Sequence, residues 1–186
     1  GIPVILKDVS RETLDRGLTI VRDHFESAAD CGRMTPQNRD ERMALISPAL
    51  NYEGIAEADI VIEAVGGDLE VRMNTFHELD RVCWPEAILA ATGSILDIDS
   101  LAAATSRPFK VIGHHFSSLP HVARVIEIVR GRATAPDVVV ASMALARRLR
   151  KTGVVVGNGH GWVGGRMRER FAFEIQTLEM EGARPA

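Results

Sequence analysis

Short apolar segments alternate with longer segments of mixed polarity along the chain. The apolar segments are rich in Val, Ile and Ala and too short for helices, which predicts buried strands of a parallel sheet. The predicted strands are Pro3–Lys7, Ala44–Leu50, Asp59–Val65, Ala87–Ala91, Val111–Gly113, Val122–Val129 and Val154–Val156. The predicted helices are a segment after Ser10, a polar segment within Cys31–Met43, and Leu69–Val82, Ile98–Thr105, Pro136–Arg150 and Gly164–Met180. This alternation predicts an α/β fold with a mostly parallel sheet.

The first and last predicted helices carry apolar residues at helical spacing. Ser10 can cap the first helix, and its inner face is expected to hold Leu14, Leu18, Ile20, Val21 and Phe25. The last helix has an apolar stripe of Met167, Phe171, Ile175 and Leu178. The spacing supports the assignment of both segments as helices.

Length, composition and charge narrow the class of protein. The chain has 186 residues, 46% of them hydrophobic, which suits one domain with a sizeable core. The net charge of −3 argues against a protein that binds nucleic acid or a membrane surface. No apolar run is long enough for membrane insertion. The two cysteines, Cys31 and Cys83, form no motif, so we expect no metal site, no disulfide framework and a cytoplasmic location.

Candidate chemistry lies where predicted strands end, which is where doubly wound sheets bind their ligands. Asp8, Glu63, Ser94 and His115 occupy such positions. An acidic residue that ends the second strand can accept hydrogen bonds from an adenosine ribose. Asp8 fits this role, but it could equally be a plain helix cap, and the pattern leaves both alternatives open.

Two histidines, His114 and His115, follow a predicted strand directly. A histidine there could exchange a proton with a substrate hydroxyl, because an imidazole titrates near neutral pH. If Val122–Val129 is a strand that turns back, Glu127 could return beside His115 and fix its tautomer. The alternative is a solvent-facing histidine and a strand-edge glutamate, and periodicity alone favours it.

Three motifs together resemble the NAD-binding domain of the 3-hydroxyacyl-CoA dehydrogenases. The first is the strand Asp59–Val65 followed by Asp68-Leu69-Glu70-Val71-Arg72. The second runs from Ala87 through Ser94 to Ile98, and the third combines Val111–Phe116 with His121-Val122 and Glu127. The His121-Val122 form is more similar to the multifunctional fatty-acid oxidation proteins than to the single-function enzymes.

The resemblance implies a Rossmann-like, doubly wound sheet and a reaction. The reaction is the NAD-dependent oxidation of (3S)-3-hydroxyacyl-CoA to 3-ketoacyl-CoA in fatty-acid β-oxidation. By the resemblance, His115 is the acid/base residue, Glu127 is its partner and Ser94 hydrogen-bonds the reacting oxygen. His114 has no role in the family and is interpreted as structural.

The resemblance also assigns cofactor residues. Asp8 would bind the adenosine ribose, and Ala64 and Val65 would lie against the cofactor. Arg72 stands where the family usually has a cofactor-contacting lysine, so the charge is kept but not the shape.

Several positions depart from the family pattern. Thr92 replaces an asparagine near Ser94, Gly67 replaces a glutamate near the cofactor, and Gly165 replaces an asparagine that helps to hold the substrate. Ser117 and Leu119 replace an aromatic residue and a proline beside the catalytic histidine. These changes favour a rival hypothesis, a degenerate, non-catalytic dinucleotide-binding module. A further alternative is a dehydrogenase of another 3-hydroxy acid.

The expected domain organisation also follows from the resemblance. Residues 1–181 would form a partial NAD-binding domain that lacks the first strand and the glycine-rich turn. Residues 182–186 would begin a hinge to an absent helical domain, so that the protein forms a homo-oligomer or a multifunctional complex through other domains. Without the first strand, Pro3–Lys7 must pair with Asp59–Val65, stay frayed or borrow a partner, and we expect the isolated chain to be poorly stable.

One further motif matches the dinucleotide glycine pattern. Residues Gly159–Gly164 lie between a predicted strand and a predicted helix. No acidic residue follows a second strand about 20 residues later, as that motif requires. We therefore interpret the segment as a flexible start of the last helix rather than a phosphate site.

Overall fold

A computed structural model of the chain describes residues 1–93, 96–116 and 121–184. The chain divides into two compact units, Gly1–Ala58 and Asp59–Ala186. Ser94, Ser117 and Leu119 lie outside the described residues. Among the described helices, none combines the length and the apolar character that crossing a bilayer requires.

The first unit contains a small parallel sheet and two helices. Its strands are β1 (Val4–Lys7) and β2 (Ile46–Ala49), paired from Val4 opposite Ile46 to Lys7 opposite Ala49. Its helices are α1 (Arg11–Asp30) and α2 (Pro36–Met43). The three alternatives predicted for Pro3–Lys7, namely pairing with Asp59–Val65, staying frayed or borrowing a partner, are therefore wrong. The predicted strand Ala44–Leu50 provides the partner instead, because the two helices form the crossover that a parallel pair requires.

The helix α1 begins and packs largely as its sequence predicts. The side chain of Ser10 caps it by accepting a hydrogen bond from the backbone amide of Thr13 at 3.2 Å. The expected inner face is buried at Leu14 and half-buried at Leu18, Val21 and Phe25. Ile20 was wrongly included in that face, since its side chain is 51% exposed. At 3.6 residues per turn it points roughly 120° away from Leu14.

The second unit is built on a five-stranded sheet of order β3-β4-β5-β6-β7. The strands are β3 (Ile60–Glu63), β4 (Ile88–Ala91), β5 (Val111–Phe116), β6 (Val125–Arg130) and β7 (Thr152–Gly157). Only the pairing of β5 with β6 is antiparallel, so the prediction of a mostly parallel sheet is confirmed. The helices are α3 (Leu69–Val82), α4 (Ile98–Ala103), α5 (Pro136–Arg148) and α6 (Trp162–Met180).

Two differences from the predicted boundaries matter for function. The strand expected to end at Gly113 continues to Phe116, so both histidines lie within β5 rather than after it. The last helix begins at Trp162 instead of Gly164. Gly113 suggested the end of the strand and Gly164 the start of the helix. In both cases the hydrogen-bonded element extends beyond the glycine.

The core of the second unit lies beneath its three central strands. Ile88, Ala90, Ile112, Ile126 and Ile128 pack with Val138 and Ala146 of α5. Central strands are covered on both faces, which is why β4 is buried throughout. The edge strand β3 is less covered than its apolar sequence predicts, and Ile62 is 40% exposed. The central strands therefore provide a rigid base for side chains on β5 and β6.

The apolar stripe of α6 has the predicted spacing, but its side chains are exposed. Met167 and Phe171 are 69% and 68% exposed, and Ile175 and Leu178 are 41% and 52% exposed. Only the beginning of the helix, at Trp162 and Gly165, is buried. The helix is thus held in this unit mainly through its first turn.

Two strand glycines provide a matched test of the packing. A Cβ atom added to Gly113 would lie 2.8 Å from Val129 Cβ and 2.9 Å from Ile98 Cδ1, whereas one added to Gly157 would meet nothing within 4 Å. We expect Gly113→Ala to lower the free energy of unfolding by about 1–3 kcal/mol through overpacking. Gly157→Ala should be neutral or stabilising by up to about 1 kcal/mol. Urea unfolding followed by circular dichroism checks this, and equal midpoints for the two variants would contradict it.

Candidate active site

His115 and Glu127 lie opposite each other on the antiparallel strands β5 and β6. The distance from His115 Nδ1 to Glu127 Oε2 is 2.7 Å, and both residues are only 6% exposed. The expected return of Glu127 beside His115 therefore occurs. The alternative of a solvent-facing histidine and a strand-edge glutamate is wrong, because both side chains are buried in the interior of the sheet.

The second carboxylate oxygen of Glu127 is bound by the first turn of α6. The backbone amides of Val163 and Gly164 donate to Oε1 at 3.1 and 2.9 Å. Burial by itself raises the pKa of Glu127, but the Gly164 amide and His115 outweigh it and hold that pKa below its ordinary value. Glu127 is therefore ionised near neutral pH and can accept a hydrogen bond from the protonated Nδ1 of the His115 imidazole.

An indole ring covers the imidazole. The rings of Trp162 and His115 have centroids 5.0 Å apart and are inclined at 58°, and Trp162 is 1% exposed. The sequence prediction missed Trp162 because its segment was considered only as a possible phosphate loop. The signal was present in the sequence, since a bulky aromatic residue in a glycine-rich segment needs a packing partner.

His114 points away from this pair and into the core. Its Nε2 lies 2.8 Å from Ser142 Oγ, and its side chain is fully buried. Burial lowers the pKa of His114 to about 4, so the imidazole is neutral at physiological pH. This environment fits the structural role predicted for His114.

A second buried carboxylate connects the ends of β3 and β4. Glu63 Oε2 binds Arg72 Nη1 at 2.9 Å, and the same nitrogen donates to the carbonyl oxygen of Thr92 at 2.9 Å. Glu63 Oε1 accepts a hydrogen bond from the Val65 amide at 2.5 Å. Burial raises the pKa of Glu63, although the Val65 amide and Arg72 oppose that shift. The guanidinium of Arg72 thus braces the sheet edge.

The segment after β3 has the openness that a bound cofactor requires. Ala64 and Val65 are exposed, and a Cβ atom added to Gly66 would meet no atom of the described residues within 4 Å. Gly67 adopts a positive φ of +143°, which turns the chain into α3. An exposed main chain at the carboxyl end of a parallel strand fits the flat ring and sugar of a dinucleotide.

Asp8 ends β1 in the first unit and is solvent-accessible. Its Oδ1 accepts the Val9 amide at 2.6 Å. Hydrogen bonds from Thr13 and from Val9 lower the pKa of Asp8, so it is a carboxylate near neutral pH. Because Ser10 is the N-cap of α1, Asp8 is not needed as a cap. Its carboxylate is half-buried and ionised, and it lies just after the carboxyl end of β1.

A cavity of about 520 Å³ lies entirely within the second unit. It is lined by Gly67, Asp68, Leu69, Leu96, Asp97, Asn158, Gly159 and His160. Asn158 Nδ2 donates to Asp97 at 2.7 Å, and its Oδ1 accepts the Ile98 amide at 3.2 Å. The glycine-rich segment therefore borders a cleft. Its amides at Val163 and Gly164 are already bonded to Glu127, which removes donors that a phosphate would need.

Residues 1–159 match the family model described as 3-hydroxyacyl-CoA dehydrogenase, NAD binding domain. The chain belongs to this family. NAD is the cofactor of the domain, as the resemblance implied, and the Rossmann-like fold is confirmed by solved structures. The 3-hydroxybutyryl-CoA dehydrogenase of Escherichia coli K12 superposes with a TM-score of 0.93 at 30% identity, covering 100% of this chain and 39% of that one.

Curated relatives come from fatty-acid oxidation. The peroxisomal bifunctional enzyme of Cavia porcellus is 34% identical over 186 residues, which is 100% of this chain and 25% of that protein. The fatty acid oxidation complex subunit alpha of Shewanella frigidimarina is 34% identical over 183 residues, which is 98% of this chain and 26% of that protein. The chain spans about a quarter of the length of these curated relatives.

The Glu63–Arg72 brace is tested by a double-mutant cycle. The Arg72 and Glu63 side chains are 12% and 1% exposed, so Arg72→Met leaves a buried carboxylate without its partner. We expect Arg72→Met to lower the free energy of unfolding by about 3–5 kcal/mol, and Glu63→Gln with Arg72→Met to recover more than half of that loss. Arg81→Met, which breaks an exposed ion pair with Glu78, is the control and should cost at most about 1 kcal/mol. If the changes in unfolding free energy caused by Glu63→Gln and Arg72→Met simply add, the two side chains are not coupled and the prediction is contradicted.

Proposed function

We propose that the longer protein containing this chain oxidises (3S)-3-hydroxyacyl-CoA to 3-ketoacyl-CoA with NAD in fatty-acid β-oxidation. The chain itself contributes the cofactor domain and the acid–base pair. The observation that carries the proposal is the hydrogen bond of 2.7 Å between buried His115 Nδ1 and Glu127 Oε2. A carboxylate in this position fixes the imidazole tautomer for proton transfer.

The pair prepares His115 to accept a proton. With the Nδ1 proton held by Glu127, the second ring nitrogen, Nε2, keeps its lone pair and can take the proton of the 3-hydroxyl. As that proton moves to Nε2, the hydride on C3 leaves with its electron pair and the C–O bond becomes a carbonyl. NAD supplies the nicotinamide carbon that accepts the hydride. The Glu127 carboxylate, bonded to two amides, stabilises the imidazolium formed.

The remaining site residues have supporting roles in the proposal. Ser94, between β4 and α4, hydrogen-bonds the reacting oxygen. Asp8 binds the adenosine ribose, which its ionised carboxylate just after the carboxyl end of β1 supports. Ala64 and Val65 lie against the cofactor, and Arg72 contributes positive charge near it while bracing Glu63.

The proposed partners are an acyl-CoA thioester and further copies or domains of a multifunctional protein. The names of the relatives, a bifunctional enzyme and a complex subunit, support this assignment. The cytoplasmic location remains a prediction, because curated relatives include peroxisomal proteins.

The rival hypothesis of a non-catalytic dinucleotide-binding module rests on Thr92, Gly67 and Gly165. The intact His115–Glu127 pair favours an enzyme, since burying these polar groups costs free energy that apolar residues of similar size would not cost. Comparing turnover of the acyl-CoA thioester with that of the free 3-hydroxy acid separates the dehydrogenase of another 3-hydroxy acid from the favoured function.

The deciding assay is the loss of reduced-nicotinamide absorbance with acetoacetyl-CoA. It compares this chain with a longer protein that also has the glycine-rich turn and the helical domain expected for the family. Turnover by the longer protein that His115→Ala abolishes would support the proposal. A folded longer protein without activity would favour the non-catalytic module.

Glu127→Gln tests the tautomer. The side-chain amide of the glutamine would donate a hydrogen bond to His115 Nδ1. The imidazole would then carry its proton on Nε2, and Nε2 could not accept the proton of the substrate. We expect kcat to fall by about 10²–10⁴. Glu78→Gln, at an exposed position of α3, is the control and should leave kcat unchanged. Unaltered turnover in Glu127→Gln would show that the carboxylate does not orient the imidazole.

Gly165→Asn tests whether a departure from the family pattern limits catalysis. In the part of the chain that the structure describes, no atom beyond the helix itself lies within 4 Å of a Cβ built on Gly165, which leaves room for an asparagine. Restoring the substrate contact should raise kcat/KM roughly tenfold, the effect of one hydrogen bond. The gain should appear in the KM for the thioester, measured by initial rates. Gly157→Asn is the control, and an equal gain in both variants would point to stability instead of substrate binding.

A further inference from the structure

The turn that leads into α6 has an uncommon backbone conformation. Gly161 has a φ of +65°, and Trp162 has a φ of +48°. Glycine tolerates this region, but a bulky aromatic residue rarely adopts it because its Cβ crowds the backbone. The Trp162 amide donates to the Gly159 carbonyl at 3.0 Å, which closes the turn. Such a conformation persists only where surrounding contacts enforce it.

The turn directs the first free amides of α6 at the acid–base pair. The helix has no side-chain cap and no acidic residue in its first turn. Its amides at Val163 and Gly164 find their acceptor in Glu127, which belongs to β6. The left-handed turn thus lets the Glu127 carboxylate accept the hydrogen bonds that an N-cap side chain would otherwise accept.

The same turn places the indole against the imidazole. Trp162 is fully buried, and its ring lies 5.0 Å from that of His115. An apolar ring there excludes water from one face of the hydrogen bond to Glu127 and narrows the orientations open to the imidazole. Hydrogen bonds strengthen in such a low-dielectric environment.

Gly164 is part of the same arrangement. A Cβ atom added there would lie 3.2 Å from Glu127 Oε2, the oxygen that binds His115. A side chain at this position would therefore crowd the carboxylate, which would have to shift by a few tenths of an ångström.

We propose that Trp162 is a positioning residue for the His115–Glu127 pair. Its left-handed backbone brings two helix amides onto Glu127, and its indole holds the His115 ring in the orientation that proton transfer needs. The inference rests on the function proposed above, because positioning matters only if the pair transfers a proton. Among the described residues, Trp162 Nε1 has no hydrogen-bond partner. The indole therefore acts through the packing of its ring and not through its N–H.

The test uses two substitutions in the longer protein that carries this chain. Trp162→Gly removes the ring but adopts a positive φ without strain, and Trp162→Phe keeps an aromatic ring without the buried N–H. The first readout is the downfield proton NMR signal of the His115 Nδ1–H. The chain has six histidines, so the signal is assigned by its loss in His115→Asn.

The second readout is steady-state kinetics. Trp162→Gly should lose or broaden the downfield signal and lower kcat roughly 10²-fold, as expected for a misplaced catalytic group. The KM for NAD should stay within about twofold, because cofactor binding is not what the ring supports. Trp162→Phe should restore the signal and most of kcat. Trp84→Ala, which removes the other tryptophan at a 43% exposed position, should alter neither readout.

Gly164→Ala covers the case in which Trp162→Gly does not fold. It keeps the indole and adds one methyl group against Glu127 Oε2, so it should shift the downfield signal and lower kcat. Retention of both the signal and kcat in Trp162→Gly, or in Gly164→Ala if only that variant folds, would overturn the proposal. Loss of the signal in a protein whose unsubstituted form shows no turnover would support the positioning role and reject the proposed function, so the two failures are distinguishable.

Discussion

The carboxylate of Glu127 joins three elements of the second unit. The residue belongs to β6, one of its oxygens holds His115 on β5, and the other accepts two amides of α6. A buried carboxylate is tolerated only when its lone pairs are satisfied, so all three elements must keep their positions around it. The antiparallel return of β6 makes this possible although the partners are only twelve positions apart in the chain. A parallel return would need a much longer crossover.

The two buried carboxylates of this unit have opposite electrostatic environments. At Glu127 burial raises the pKa, but backbone amides and His115 together outweigh it and lower that pKa. At Glu63 burial prevails and raises the pKa despite the Val65 amide and Arg72. Glu127 therefore remains an acceptor for the imidazole, and Glu63 depends on its guanidinium partner. In the proposed function the first carboxylate orients the imidazole, and the second supports the sheet edge on which a cofactor would lie.

Apolar periodicity predicted the elements well wherever it was continuous. The helix α3 has its predicted bounds. The approach of Glu127 to His115 depended on an assumed reversal of the chain and on the family resemblance, because periodicity alone favoured the alternative. The partner of β1 was not predictable, because strand pairing depends on which neighbours the rest of the fold leaves accessible. The turn at Trp162 was not predictable either, since it contradicts the ordinary conformational preference of its residue. Burial of the histidines within β5 was missed because Gly113 suggested a strand end.

The helix α6 is bound at one end and carries exposed apolar side chains along the rest of its length. Its nineteen residues extend about 28 Å, and a helix of hydrogen-bonded turns moves as a stiff rod. A contact that tilts its far end therefore also moves the two amides bonded to Glu127. The free energy of packing on that face and the free energy of forming the His115–Glu127 pair are consequently linked, and each must influence the other to the same extent.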